Sequence, residues 1–117
     1  MTARRPLERG DVVLVSFPFT DLTQARLRPA LIVGRVAGDD LILAFVTSRA
    51  PGATAASECL LAPADDEFVS TGLRVASTVR LERLATLNRA LMRRRLGRIG
   101  PQTATRVATA LRFVFGL

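Results

Sequence analysis

The sequence predicts a small, mainly β fold: a barrel-like sheet of five or six short strands with one helix packed on it at the C-terminus. Three observations lead there. The 117 residues suffice for a single domain, residues 1–117, with a modest core. Up to Ile99 the chain alternates short apolar runs with turns rich in Gly, Pro and Asp, and only the last segment has helical periodicity. No apolar run approaches the roughly 18 consecutive positions that cross a bilayer.

The elements follow in chain order. Val12-Val13-Leu14-Val15-Ser16-Phe17, just after Gly10-Asp11, is a β-branched run that reads as a strand and stops at Pro18. Thr20 to Arg28 is polar and reads as an exposed loop. Pro29 to Gly34 is the second strand, with Pro at its first position, where a missing N–H is tolerated. Gly38-Asp39-Asp40 is a tight turn that makes a hairpin with Leu41–Thr47, a strand apolar on both faces and so expected to be covered on both. Ala50-Pro51-Gly52 ends it. Glu58–Leu61 is a short strand, and Pro63 to Thr71 a loop or a single helical turn. Ser77–Leu81 and Leu84–Leu87 form one long strand or two joined by a bulge. Asn88 begins a turn, and Arg94–Ile99 is an edge strand whose arginines are expected to face solvent. Gly100 and Pro101 open the helix, in which Ala104, Val107, Ala108, Leu111, Val114 and Phe115 make one apolar face. The phenylalanines read mostly as core, Phe19 excepted. Cys59 reads as a small core residue.

Charge points to the partner. The balance is +7, and all 17 basic residues are Arg. A guanidinium grips phosphate with a planar fork and stacks on bases, so a basic domain of this size favours a nucleic acid or an acidic protein. The chain has no His, which excludes a two-histidine ribonuclease mechanism. A single cysteine excludes an intrachain disulfide and a cysteine-rich zinc site. Met1 to Pro6 lacks the apolar stretch of a signal peptide, and the chain reads as cytoplasmic.

Gly10-Asp11-Val12-Val13-Leu14-Val15, then Phe17-Pro18-Phe19-Thr20-Asp21, then Arg28-Pro29-Ala30-Leu31-Ile32-Val33, resembles the opening of the MazF/PemK family of toxins. The likeness continues at Phe45-Val46-Thr47-Ser48, resumes at Ser77-Thr78-Val79-Arg80-Leu81 with Leu84-Ala85-Thr86-Leu87, and runs over residues 9 to 116. The resemblance implies an SH3-like barrel of MazF/Kid/CcdB type with a C-terminal helix, usually a homodimer. It also implies a sequence-selective endoribonuclease acting on single-stranded RNA and held in check by an antitoxin, with no cofactor. By family pattern Arg28 and Thr47 fall on the positions associated with cleavage. Ser48 and the loop from Pro18 to Leu27, with Phe19, Thr20, Asp21 and Arg26, fall beside the RNA groove, and Phe19 is the one aromatic placed to stack on a base. Arg80 reads either as an RNA contact or as an ion-pair partner, for Glu82 or for an acid of the other subunit. Some members carry an Arg and an acid on the strand aligned to Val75 and Ser77, where neither residue here ionises, so a mechanism using that pair is not expected.

Cleavage by RNA's own 2′-hydroxyl needs no metal, because the nucleophile is already tethered beside the phosphate. Arg28 can stabilise the charge that develops on phosphorus and Thr47 can donate to the same group. A guanidinium stays protonated at ordinary pH, which leaves the general base unassigned. Apart from the resemblance, Arg28 reads as a solvated residue before a strand, Thr47-Ser48 as turn chemistry, and Asp21 as a cap of its own loop. Two other functions fit the same elements: a CcdB-like poison that binds gyrase through the end of the helix, and a non-catalytic nucleic-acid-binding barrel. An antitoxin would present an acidic, partly disordered segment to the basic groove.

Overall fold

The computed structural model describes residues 6–17, 26–48 and 54–117. Strands β1 (Asp11–Phe17), β2 (Arg26–Arg35), β3 (Asp40–Thr47), β4 (Glu58–Leu61), β5 (Ser77–Asn88) and β6 (Met92–Arg98) form one antiparallel sheet in the order β4-β5-β3-β2-β1-β6, and helix α1 spans Pro101–Phe115. The expected architecture is present: a curled, barrel-like sheet of six strands with a C-terminal helix. Helix α1 packs on β4 and β5, and the 3₁₀ turn Val69–Thr71 packs on β6, so the two outermost strands are joined by these elements rather than by a ladder.

Period-two alternation gives the sheet two apolar faces. Val12, Leu31, Val33, Ala44, Val46, Val79 and Leu81 pack with Val107 and Ala110 of α1 and with Cys59 and Phe68. Val13, Val15, Ala30, Ile32, Leu43 and Leu87 pack on the other side, where Phe17 and Phe45 meet edge to face at 4.8 Å between ring centres. Both faces of β3 are therefore covered, as its sequence indicates.

Several elements differ from the sequence reading. Strand β2 begins at Arg26 and not at Pro29, because β1 runs long enough to pair Phe17 with Arg26, Ser16 with Leu27 and Val15 with Arg28. Pro29 has no N–H to give, and the β2–β3 ladder starts one residue later, at Ala30. Strand β6 is an edge strand, but its arginines do not all face solvent. Asp11, fully buried, accepts from Arg95 Nη2 at 3.0 Å, Arg98 Nη1 at 2.9 Å and the Glu8 N–H at 2.9 Å. A carboxylate inside a sheet has to be paired, and it draws both guanidiniums inward. Phe113 and Phe115 are exposed, at 63% and 60%, so the apolar face of α1 ends at Val114.

Helix α1 starts at Gly100, which has no side chain to cap it, and Glu67 serves instead. Its carboxylate accepts from the N–H groups of Thr103 (2.7 Å) and Gln102 (3.1 Å) and from the Thr103 hydroxyl (2.8 Å). The Thr103 N–H above all, with help from Gln102, the Thr103 hydroxyl and nearby Arg106, holds the Glu67 carboxyl below its ordinary value near 4.5. A carboxyl whose value is lowered by folding contributes stability that is complete above the unfolded value and disappears as pH falls through the folded one. Glu67→Gln is therefore expected to lower the urea midpoint at neutral pH, and the gap to the wild type should close as the medium is acidified below about pH 4. A gap that stays constant from neutral to acid pH refutes the assignment.

Candidate active site

Strand pairing brings the two cleavage candidates, Arg28 and Thr47, together. Ala30 of β2 lies opposite Phe45 of β3, and Arg28 and Thr47 each stand two residues further out along those strands. Side chains two apart share a face, so all four project to the side away from α1. Phe45 in turn lies opposite Arg80 of β5. The result is an open cleft of about 390 Å³ lined by Arg28, Thr47, Arg80 and Arg83 over an apolar floor that includes Phe17 and Phe45. Arg28 is exposed and Thr47 half-buried, so a guanidinium fork and a hydroxyl face one solvent-open space.

The other candidates divide. Arg80 lines the cleft, and its Nε donates to Glu82 at 2.9 Å, the ion pair that is one of the two readings made of it. Arg26 is exposed at the start of β2 and Ser48 just past the end of β3, and neither lines the cleft. Phe19, Thr20 and Asp21 lie outside the described residues. Val75 precedes β5, and Ser77 is buried with its hydroxyl donating to the Val75 carbonyl, so neither reaches the cleft. The arginine–acid pair that β5 does carry is Arg80–Glu82, two residues apart and ion-paired, as the sequence reading of Arg80 allows.

The sequence reading does not single out Arg83 as a cleft residue, nor Phe45 as cleft floor. A second cleft of similar size, about 420 Å³, lies between β2, the Arg9-Gly10 segment before β1, the end of β6 and the start of α1. Its walls include Leu31, Val33, Ala104 and Val107, and its Arg98 is already engaged by Asp11 and Glu8. Among the described residues no three His, Cys, Asp or Glu side chains gather as metal ligands do, and no helix is long and apolar enough to cross a membrane.

Solved structures with the same fold cover nearly the whole chain. An endoribonuclease from a mycobacterial species matches with a TM-score of 0.69 and 25% identity over 96% of this chain and 92% of its own. An endoribonuclease in complex with its cognate antitoxin, also from a mycobacterial species, matches with a TM-score of 0.73 and 23% identity over 97% of each chain. A MazE–MazF structure from Deinococcus radiodurans matches with a TM-score of 0.71 and 23% identity over 95% of this chain and 97% of its own. No curated protein sequence matches. The sequence pattern of the PemK-like, MazF-like toxins fits residues 8–115, which contain the six described strands, helix α1 and the cleft. This chain belongs to the PemK-like, MazF-like toxin family of type II toxin–antitoxin systems.

Proposed function

We propose that the protein is a sequence-selective endoribonuclease that cuts single-stranded RNA at the Arg28–Thr47 cleft without a metal. The observation that carries this reading is the convergence of Arg28 and Thr47, from adjacent strands, on one open cleft with an aromatic floor. In the reaction the 2′-oxygen bonds to phosphorus as the bond to the 5′-oxygen breaks. Arg28 donates to the non-bridging oxygens as they gain charge, and the Thr47 hydroxyl donates to the same group. No carboxylate lines the cleft among the described residues, so the 2′-hydroxyl proton passes to solvent and the departing 5′-oxygen takes one from it. The products are a 2′,3′-cyclic phosphate and a 5′-hydroxyl.

We further propose that the protein acts in the cytoplasm, where RNA is available, as a homodimer neutralised by an acidic antitoxin. The family supports that reading, and the solved antitoxin complexes of similar fold support its partner. The net charge of +7 suits an acidic segment as much as it suits RNA.

Purified protein is expected to cut unstructured RNA at discrete positions in excess EDTA, leaving ends that a kinase can label at the 5′-hydroxyl without prior phosphatase. Cutting that stops with chelator refutes the metal-free chemistry. Exposed Phe113, Phe115 and Leu117 at the end of α1 are the feature a gyrase-binding poison would use; growth arrest with intact RNA and damaged DNA would favour that function instead.

A further inference from the structure

The β3–β5 ladder breaks where it borders the cleft. Ala44 pairs with Leu84 and Phe45 with Arg80, so Leu81, Glu82 and Arg83 stand opposite no residue of β3. Such an insertion bends a strand and re-aims its side chains. Here the bend is pinned from both sides: Leu81 is fully buried with its N–H donating to the Ser57 carbonyl at 2.9 Å, and Glu82 is tied back to Arg80. Arg83, exposed on the same bulge, is turned into the cleft already bordered by Arg28 and Arg80.

The three guanidiniums are not equivalent. Arg80 is occupied by Glu82, whereas the Arg28 and Arg83 side chains form no ion pair with any described residue. Two uncompensated positive charges on an apolar floor call for a ligand with two negative charges spaced along it, and successive phosphates of one strand have that character. We propose that Arg83 is a positioning residue that grips the phosphate next to the scissile one and so fixes the register of the strand over Arg28. This rests on the cleavage reading above for its choice of scissile phosphate, but the phosphate contact itself can be measured without cleavage.

The experiment has two arms. In the first, a fluorescein-labelled random-sequence RNA of about 15 nucleotides, fully 2′-O-methylated so that no nucleophile is present, is titrated at several salt concentrations. Arg83→Ala should weaken binding about tenfold and flatten the log–log salt dependence by about 0.7, the share of one phosphate on a single strand. Arg83→Lys should keep the slope. Arg112→Ala, equal in net charge and placed on the helix of the opposite face, should leave the slope unchanged. In the second arm, cleavage of an RNA with free 2′-hydroxyls should show KM raised about tenfold by Arg83→Ala, with kcat within about threefold of wild type.

An unchanged slope, or an equal flattening by Arg112→Ala, overturns the contact. A fall in kcat with KM unchanged overturns the positioning role and makes Arg83 part of the chemical step. A wild type that binds with an Arg83-dependent slope yet cuts no RNA refutes the cleavage reading while the phosphate contact stands. A wild type that binds no RNA overturns both.

Discussion

Arg28→Ala is expected to lower kcat on a short single-stranded RNA by about 10²- to 10³-fold, the cost of removing one preorganised donor from the site of a developing oxyanion. KM should change far less, because the interaction is strongest when the phosphorane carries its extra charge. The urea midpoint should hardly move. Arg28 is exposed, no described residue forms an ion pair with it, and substitutions at such sites are worth within about 0.5 kcal/mol. Arg28→Lys should recover only part of the loss: it restores the charge but not the planar fork that holds two oxygens at once. The measurement is single-turnover cleavage with unfolding followed in parallel. Full activity in a folded Arg28→Ala protein would move the chemistry away from this cleft, and loss of activity together with loss of fold would make Arg28 structural.

That cleft was legible in the sequence to the extent that its parts are local. Arg28-Pro29 ahead of an apolar run and Thr47-Ser48 at the end of another mark two strand ends, and the Gly38-Asp39-Asp40 turn makes the two strands neighbours. What was not legible depends on pairing at a distance. Arg26, Leu27 and Arg28 have no strong β preference; they are strand because Phe17, Ser16 and Val15 stand beside them. Gly10-Asp11 reads as the lead-in to a strand, and nothing local says that Asp11 is buried or that it will draw in arginines 84 and 87 residues later. The sequence between Ser77 and Leu87 allows a bulge, but only the β3 register shows that it is three residues wide and turns Arg83 toward Arg28. The helix period groups Phe115 with Val107 and Leu111, yet periodicity carries no information on where the covered face of a sheet stops.

The largest expected effect on stability comes from a residue with no part in the chemistry. Gly97 lies inside β6, and in a strand interior replacing Gly by Ala ordinarily gains up to about 1 kcal/mol by restricting the unfolded chain. Here the sign should reverse. A Cβ on Gly97 would meet the Ser70 carbonyl oxygen and lie 2.5 Å from the Thr71 carbonyl carbon, both main-chain atoms of the 3₁₀ turn that closes over β6. The turn cannot swing aside freely. The Ser70 hydroxyl donates to the Arg98 carbonyl at 2.8 Å, the buried Thr71 hydroxyl donates to the Phe68 carbonyl, and Gly72 lies against the Leu96 carbonyl. Overpacking costs about 1–3 kcal/mol where side chains can give way; between two main chains the loss should be at least about 3 kcal/mol, or roughly 10 °C in Tm for a domain of this size. Because β6 is separated from β2 by β1 and does not line the cleft, the fraction that remains folded should cut RNA with unchanged kcat. Calorimetry of Gly97→Ala beside the wild type decides the matter: an equal or higher Tm would mean that the turn and the strand are not held together as the structure has them.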